Sequence, residues 1–562
     1  MPSERRSSRN RRESSEIIAP GFGTASDLSK LSRDLGGKMS TKVVAAVMRS
    51  EGRGIRSKSQ TEANPLTSPQ TSSAWADFLQ EEGGGVSAVL NFDTSANTEE
   101  PSNKRRKTET EAKPASNEKV KYDLSVLTKI SKSPPSGALV QSGTLDSTLV
   151  GRKAIKSTDQ AVYHLNVPTS LLPKISITKV CTSCNAAHAI AIDKSNNAYG
   201  WGRNEGMTLG DSLGEGRVVP TPQIIASDIQ SAALGKSHTI FLQTDGTLHA
   251  IGTNKVGQCG WRESAKDSGS LKACVIVGAP GTKFVKIACG EDFSVALDDK
   301  GILYTTGSSE FGQLANGETG EYFVTANKLA FANGYGFASR TIFHHTDPKD
   351  TSRNDQMKKT AQISQDIRLQ DISCGKHHAL ALEAPNKNGG GTRIFSWGSG
   401  NYGCLGHGRQ QDEYFPRHVE LFPTGMTGTK IAAGGSCSLV LTSNGHAYYW
   451  GQHQSSKDAV MKPQLVDALA NNQHVVTHIG AGTNNVACST DLGNTVVWGQ
   501  GQYGELGIGT KKSSSKPAFV DTLEGIQVLD MACGQGSILY VVEDDKSIPK
   551  LDTDAVEKAL GI

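Results

Sequence analysis

Short apolar runs separated by tight turns dominate the chain between about residues 180 and 545, and no helix-length pattern of period 3.6 is found there. Residues 239–242 form one such run and residues 247–252 the next, which is typical of β-strands. Between them, Asp245-Gly246 supplies the positive φ angles that a two-residue hairpin turn needs. Lys300-Gly301 and Asn444-Gly445 occupy the same place in later runs. The pattern therefore predicts a succession of β-hairpins.

Two short sequence motifs, here called the first and second phrase, recur seven times each. The first resembles Cys374-Gly375-Lys376-His377-His378, and the second is an apolar strand that ends in Trp-Gly or a related pair. The glycines that close the second phrase are separated by 59, 50, 55, 91, 53 and 48 residues, and they are Gly143, Gly202, Gly252, Gly307, Gly398, Gly451 and Gly499. Repeats of about 50 residues with roughly four short strands are typical of propeller blades, and seven blades lie within the usual range. A β-helix is the alternative, but its repeats are much shorter.

The two series of phrases are offset by half a repeat unit at each end of the repeat region. Gly143 has no first phrase before it, and Cys533-Gly534 has no second phrase after it. The repeat region thus begins with one half of a unit and ends with the complementary half. This arrangement is required if the first and last strands pair in one blade and so close the ring. The sequence predicts an all-β, seven-bladed β-propeller in which residues 139–143 pair within the same blade as residues 531–542.

The chain divides into three predicted regions. Residues 1–120 form a disordered tail, residues 121–545 the propeller and residues 546–562 a C-terminal tail. Residues 1–60 hold 13 Lys and Arg against 6 Asp and Glu, while residues 61–100 hold none against 7. This polar, aromatic-poor composition favours disorder. The interval of 91 residues predicts an insertion at about 317–370, and its candidate partner-binding residues are His344, His345, Asp347, Lys349 and Asp350.

Lys104-Arg105-Arg106-Lys107 resembles a short nuclear-import signal, because four consecutive cations in a linker suit the acidic groove of an import receptor. The alternative is an ordinary solvated run of charge. The sequence has no secretory signal and no apolar run of 18 residues, so we expect a soluble protein with no membrane contact. The predicted location is the nucleus, with the cytoplasm as a second compartment.

Two patterns resemble chemical sites but are better explained by the repeat. Gly398-Ser399-Gly400-Asn401-Tyr402-Gly403 has the spacing of a dinucleotide fingerprint and recurs at residues 499–504, yet neither copy is followed by a helical pattern that could hold a pyrophosphate. Cys181 and Cys184 lack a second pair of zinc ligands. We therefore predict no catalytic residue, no cofactor and no metal.

The recurrent histidines and glycines of the first phrase are predicted to be structural. A catalytic group is needed once, whereas a hydrogen bond between blades is needed in every blade. These residues are His188, His238, His378, Gly235, Gly290, Gly375 and Gly534. Most of the ten cysteines are predicted at equivalent strand positions of successive units, where they would be buried and too far apart for disulfides. These are Cys184, Cys289, Cys374, Cys437 and Cys533. Such thiols fit a reducing compartment.

The phrases at residues 395–398, 402–407 and 288–290 resemble the regulator of chromosome condensation family of propellers. Within it, residues 137–140, 149–153 and 411–422 and the long insertion are most similar to the telophase-disc branch (regulator of chromosome condensation 2). The resemblance implies a nuclear protein that acts in mitosis and is associated with chromosomes, centromeres or the spindle. It also implies contact with a small GTPase of the Ran, Rac or Ral type.

Two functions follow from the resemblance. The first is guanine-nucleotide exchange on that GTPase, which needs a rigid binding surface and no covalent catalysis. The second is a non-catalytic scaffold that binds chromatin or microtubules, with basic residues 1–60 available to contact phosphates. A substrate-recruiting module for ubiquitin transfer is a weaker third hypothesis, because the sequence carries no catalytic domain. We expect a monomer that also binds an import receptor.

Overall fold

The structure is a computed structural model that describes most of the chain from residue 121 onward. The described residues belong to one compact unit that spans residues 113–562. They are residues 121–128, 134–145, 165–172, 174–216, 218–261, 268–277, 279–317, 343–345, 362–364, 367–387, 392–420, 427–452, 458–470 and 474–551. Residues 104–107, 347, 349 and 350, which carry predicted sites, lie outside them.

The described strands form seven blades of mainly antiparallel strands. The chain begins with a one-turn helix, α1 (Ser125–Thr128), and with two strands, β1 (Ala138–Gly143) and β2 (Leu165–Ser170), that belong to the last blade. Blade 1 comprises β3 (Ile177–Cys181), β4 (His188–Asp193), β5 (Ala198–Arg203) and β6 (Val218–Ala226). Blade 2 comprises β7 (Ile229–Leu234), β8 (His238–Gln243), β9 (Leu248–Gly252) and β10 (Ser268–Ala273).

Blades 3 and 4 depart from four strands. Blade 3 has three strands among the described residues, β11 (Phe284–Cys289), β12 (Phe293–Asp298) and β13 (Leu303–Gly307). The insertion then contributes β14 (Phe343–His345) and β15 (Gln362–Ser364) to the outer edge of blade 4. The other strands of blade 4 are β16 (Leu369–Cys374), β17 (His378–Glu383), β18 (Ile394–Gly398) and β19 (Glu413–His418). Strand β14 runs parallel to β19, with His344 opposite Arg417.

The remaining blades return to the four-stranded pattern. Blade 5 comprises β20 (Gly428–Ala433), β21 (Cys437–Thr442), β22 (Ala447–Gly451) and β23 (Val460–Leu465). The one-turn helix α2 (Asp467–Ala470) leads to blade 6, with β24 (Val476–Ala481), β25 (Asn485–Thr490), β26 (Thr495–Gly499) and β27 (Ser514–Phe519). Blade 7 begins with β28 (Val528–Cys533) and β29 (Ser537–Val542).

The closure predicted from the offset phrases is confirmed. Strand β1 pairs antiparallel with β29 from Ala138 opposite Val542 to Gly143 opposite Ser537, so blade 7 has the order β2-β1-β29-β28. The chain also continues beyond β29, because the Ser170 amide donates to the Pro549 carbonyl and the Leu551 amide to the Ser170 carbonyl. The first strands of the seven blades contact one another in cyclic order, with β28 against β3. The seven-bladed propeller is thus a closed ring.

The hydrophobic core lies between the blades. Each cluster of buried side chains combines residues of neighbouring blades, such as Leu539 of blade 7 with Ile190 of blade 1 and Phe241 of blade 2. Within the described part of the chain, no helix is long and apolar enough to cross a membrane.

The ring has two ends. The loop end carries the connections from the first to the second strand of each blade, and the turn end carries the hairpin turns such as Asp245-Gly246. In the blades with a described fourth strand, strand three ends and strand four begins at the loop end. The glycine-rich stretch that begins at Gly398 leads into a three-residue 3-10 turn, Asn401–Gly403, and not into an α-helix. This geometry gives no helix N-terminus for a pyrophosphate.

A buried carboxyl group lies between blade 6 and strand β1 of blade 7. Glu505 follows β26 and is 1% exposed, and its backbone carbonyl accepts a hydrogen bond of 2.8 Å from the Ser142 hydroxyl of β1. Its side chain accepts the Tyr503 amide at 2.7 Å, as Gln258 and Gln313 do for amides two residues earlier in blades 2 and 3. Burial raises the pKa of Glu505 to about 7, although the backbone hydrogen bonds oppose that rise.

We predict that Glu505→Gln stabilises the protein above pH 7. The native state holds the proton up to about pH 7, whereas the unfolded carboxyl loses it near its ordinary pKa, so the wild-type free energy of unfolding falls as pH rises through this window. The variant should therefore gain about 1–3 kcal/mol at pH 8 and little at pH 5. Urea unfolding at both pH values measures this, with Gln313→Glu as the converse control that should create the same pH dependence. Identical pH profiles for wild type and Glu505→Gln would contradict the prediction.

Candidate partner-binding face

The loops at the loop end form a hydrogen-bonded ring around the propeller axis. The Lys236 amide donates to the Glu291 carbonyl at 3.1 Å, and the Glu291 amide donates to the Lys376 carbonyl at 3.0 Å. The same pattern continues through Lys376 to Gly434, Gly435 to Gly482 and Thr483 to Gly534. The loops of blades 2 to 7 are therefore fixed relative to one another by their backbones.

Blade 1 has a longer loop that reaches toward the other side of this ring. Its first two strands are joined by residues 182–187, six residues, where blade 2 uses three, residues 235–237. The Asn185 side-chain amide donates to the Gly375 carbonyl of blade 4 at 3.4 Å, and the Thr483 hydroxyl of blade 6 donates to the Cys184 carbonyl. Cys184 is buried. This loop covers the axis at the loop end.

The long loop corrects one prediction about the cysteines. Cys289, Cys374 and Cys533 end the first strands of their blades as predicted, but Cys184 lies in the loop and Cys437 begins a second strand. The assignment of Cys184 was wrong because the additional loop residues shift it out of register. Cys437 instead occupies the position that histidine has elsewhere. All ten cysteines are free thiols, and no cluster of three or more His, Cys, Asp or Glu suited to a metal occurs among the described residues.

A cluster of charged side chains lies within this ring of loops. Glu291 is paired with Lys236, with Lys376 at 3.5 Å and with His377 at 3.2 Å. Burial alone would raise the pKa of the Glu291 carboxyl, but the hydrogen bond and charge of Lys236 and the charge of Lys376 hold this pKa below its ordinary value. The His377 ring also lies 4.9 Å from the ring of Phe311.

The two lysines of the cluster remain accessible. The side chains of Lys236 and Lys376 are 42% and 48% exposed, whereas Glu291 is 12% exposed. Burial lowers the pKa of His377, despite the neighbouring Glu291, so this ring is neutral near pH 7. The cluster therefore carries two cations against one anion, and its excess positive charge faces solvent.

A second set of polar side chains follows a β-bulge in the first strand of every blade. Lys286 pairs with Asp371 at 2.6 Å, and the Asp530 carboxylate accepts the Val180 amide at 2.9 Å. These contacts join blade 3 to blade 4 and blade 7 to blade 1. The seven equivalent residues, here called the axial ring, are Lys179, Ser231, Lys286, Asp371, Lys430, His478 and Asp530. Sequence reasoning missed this set, although each member follows the first buried residue of its strand by two positions.

The recurrent histidines connect each blade to the next through a hydroxyl group. The distance from Nε2 to the hydroxyl oxygen is 2.9 Å for His188 and Thr239, 2.8 Å for His238 and Ser294 and 3.0 Å for His378 and Ser438. Each hydroxyl in turn donates to a backbone carbonyl, that of Thr208, Gln258 or Cys404. Because its one hydrogen is used there, each hydroxyl must accept from Nε2–H, which fixes the neutral tautomer.

The tryptophans of the second phrase bond to the preceding blade, whereas the histidines bond to the next one. Nε1 of Trp201 donates to the Gln141 side chain of blade 7, and Nε1 of Trp450 donates to the Cys404 carbonyl of blade 4. Trp397 likewise donates to the Gln313 carbonyl of blade 3. Both phrases thus supply polar contacts between blades.

The first-phrase glycines are required by the side chains that follow them. A Cβ atom at Gly235 would lie 2.0 Å from the His238 ring, and one at Gly290 would lie 1.8 Å from the Phe293 ring. At Gly375 the nearest atoms, 2.3 Å away, belong to His378 and to the Gly434 carbonyl. Gly534 is less crowded, with atoms of Ser537 and Thr182 at 3.0 Å.

The insertion is placed at the rim of blade 4. His344 and His345 belong to β14, between β15 and β19, whereas Asp347, Lys349 and Asp350 lie outside the described residues. Of the predicted partner loop, the structure therefore places only the backbone of His344 and His345, on β14. Sequence reasoning did not find the Glu291 cluster, because its four members stand at variable positions within the repeated loops.

The described part of the chain is a closed seven-bladed propeller whose loops are linked to one another at the loop end. A family model described as an RCC1-like domain matches residues 155–540. The chain therefore belongs to the RCC1-like family of propellers. It is similar to an RCC2 homolog of Xenopus laevis, with 31% identity over 433 residues that cover 74% of this chain and 80% of that protein. It is equally similar to human RCC2, with 31% identity over 440 residues that cover 75% and 79%.

Solved structures agree on the fold. Prp20p of Saccharomyces cerevisiae, a structure described with its binding to Gsp1p and histones, has a TM-score of 0.56 and 18% identity, covering 79% of this chain and 98% of that one. Yeast RCC1 (Prp20) bound to Kap60 has a TM-score of 0.56 and 17% identity, covering 81% and 100%.

We predict that His238→Phe destabilises the protein by about 1–2 kcal/mol and that adding Ser294→Ala recovers part of this loss. The single change leaves a buried hydroxyl without its donor. The double change places Phe and Ala where blades 3 and 4 have Phe293 and Ala379, although the Gln258 carbonyl then loses the hydroxyl that donates to it. Urea unfolding of the two variants and wild type at pH 7.5 measures both effects. Equal stability of the single and double variants would contradict the predicted relay.

The same variants should change the acid sensitivity of the protein. Burial lowers the pKa of His238 to about 3, so below pH 6.5 the unfolded state takes up a proton that the native state does not, and stability falls with pH down to about 3. The double variant should therefore lose less stability than wild type between pH 7 and pH 5.

Proposed function

We propose that this chain is a regulatory binding protein that engages a small GTPase of the Ran, Rac or Ral type and promotes release of its nucleotide. The Glu291 cluster carries the proposal. A rigid ring of backbone-linked loops holds two half-exposed lysines over a buried carboxylate, and this surface offers cations to acidic groups of a partner. Prp20p binds Gsp1p, a small GTPase of this class, which supports the choice of partner.

Nucleotide exchange requires differential affinity rather than bond chemistry. A surface that binds the nucleotide-free GTPase more tightly than the loaded form shifts the equilibrium toward release. Such a surface must not relax when the partner changes shape, and the loop-to-loop hydrogen bonds restrict that relaxation. Glu291 can also exchange one of its lysine partners for a cation of the GTPase without leaving a buried charge unpaired.

We predict that the full chain accelerates release of a fluorescent GDP analogue from one of Ran, Rac and Ral, and that Lys236→Ala/Lys376→Ala reduces this acceleration about tenfold. Such a factor corresponds to about 1.4 kcal/mol of interaction with the partner. Lys194→Ala/Lys300→Ala, which removes two exposed lysines at the turn end, is the matched control and should leave the rate unchanged. Absence of acceleration for all three GTPases at micromolar protein would rule out the exchange function.

The alternative proposal is a non-catalytic scaffold on chromatin or microtubules. It is supported by the excess of basic residues in positions 1–60 and by the histone binding described for Prp20p. Capture of partners from mitotic extract with GTP, with GDP and without nucleotide separates the two proposals. An exchange factor retains a GTPase most strongly without nucleotide, whereas a scaffold retains its partners equally in all three conditions.

We further propose that Lys104, Arg105, Arg106 and Lys107 bind an import receptor and direct the protein to the nucleus. The complex of yeast RCC1 with Kap60 supports an importin as the receptor. Replacing the four residues by alanine should move a fluorescent fusion into the cytoplasm, because the acidic groove of the receptor loses its cations. Lys511→Ala/Lys512→Ala, in an exposed loop of blade 6, is the control. An unchanged nuclear signal would assign import to another segment.

A further inference from the structure

A short segment that precedes the first blade strand is docked on the turn end between blades 3 and 4. This anchor segment comprises residues 121–128 and includes α1. Gly137, ten residues after Leu127, forms two backbone hydrogen bonds with Ile177 of blade 1. The next residues form β1, which belongs to blade 7. The anchor segment therefore contacts a different part of the ring from the strand that follows it.

The backbone of the anchor segment pairs with the loop between β17 and β18. The Asp123 amide donates to the Pro385 carbonyl, and the Lys387 amide donates to the Lys121 carbonyl, both at 2.8 Å. Tyr122 and Asn386 form an antiparallel bridge. This is the geometry by which extended peptides are bound through their main chain.

Three side chains of the anchor segment add specificity. The Tyr122 hydroxyl donates to the Glu383 carboxylate at 2.9 Å, and that carboxylate is held from the other side by the Arg393 guanidinium at 2.6 and 2.7 Å. Leu127 is 6% exposed within the hydrophobic cluster shared by blades 3 and 4, and Leu124 packs against the same cluster. The pattern read by the groove is therefore Tyr-x-Leu-x-x-Leu.

The groove that holds the segment is built from residues of blades 3 and 4. Blade 4 makes its strand ladder from β14 to β19, and the pairing residues 385–387 lie in a loop outside that ladder. The Glu383 and Arg393 pair is formed by blade 4 alone. Val126 of the anchor segment faces solvent at 38% exposure, and Tyr122 is only partly buried. The backbone pairing of the segment is thus an addition to a blade whose strand ladder does not include it.

We propose that this groove is a peptide-binding site, that its external ligand is an extended partner segment of the pattern Tyr-x-Leu-x-x-Leu, and that residues 121–128 occupy it in cis as an autoinhibitory contact. Attachment to the same chain gives the anchor segment a high effective concentration, which a competing peptide must overcome. Weakening the cis contact should therefore reveal binding in trans.

The test uses the full chain and a fluorescent peptide with the sequence of residues 121–128. The variant Leu124→Ser/Leu127→Ser should bind this peptide at least tenfold more tightly than the wild-type chain does. A peptide with Tyr122→Phe should bind several-fold more weakly, because it cannot donate to Glu383. Val126→Ser, at the exposed position, is the matched control and should leave the chain as closed as wild type. Failure of a folded double variant to bind the peptide would overturn the proposal.

Hydrogen exchange on the unmodified chain provides a second measurement that does not depend on the variant folding. The amides of Asp123 and Lys387 should exchange at least tenfold faster than the paired amides of β17, because the segment detaches without unfolding the blade. Equal protection at these positions would make the segment a permanent part of the fold and would also overturn the proposal.

Discussion

The propeller depends on the satisfaction of polar groups buried between neighbouring blades. A blade cannot hide both faces by itself, so its side chains must fit the adjacent blade in shape and in hydrogen bonding. At the interface of blades 4 and 5, the Cys404 carbonyl accepts both from the Ser438 hydroxyl and from Trp450, and the same hydroxyl accepts from His378. One carbonyl thus links the two recurrent phrases. The first phrase supplies a donor to the next blade, as His378 does, and the second phrase supplies a donor to the previous blade, as Trp450 does.

This constraint explains why the histidine position varies. Histidine stands where the next blade offers a hydroxyl, as with His238 and Ser294. Where the next blade offers alanine at that place, the chain has Phe293, which is fully buried and has no polar group to satisfy. At the same position in blade 6, the Asn485 side-chain amide donates to the Gly534 backbone carbonyl of blade 7 at 3.3 Å. The residue type at this position is therefore determined by its neighbour in space and not by its own blade.

The repeated strands and their order could be predicted from the sequence. Where the repeat is interrupted, the position of the interruption could be predicted but not the contacts that its residues make. The offset between Gly143 and Cys533 was sufficient to predict that β1 pairs with β29, because closure follows from counting half-units. The placement of β14 beside β19, the reach of Asn185 to Gly375 and the docking of Tyr122 beside Glu383 could not be predicted. Each joins residues that are far apart in sequence and that share no period. Long-range contacts of this kind are determined by the assembled ring, which local patterns do not contain.

The axial ring illustrates why a closed repeat must vary somewhere. Seven identical charged residues around one axis would repel one another, since like charges at short range disfavour ionisation. The chain instead alternates cations, anions and neutral groups. Burial lowers the pKa of Lys430, and the nearby Asp530 and Asp371 oppose this effect, while burial and Lys430 lower the pKa of His478 to about 4. The Glu291 cluster at the loop end obeys the same rule with two lysines around one carboxylate. Ring closure therefore favours the same residue types in the contacts between blades and different residue types around the axis. We expect the residues that distinguish one propeller of this family from another to lie near the axis.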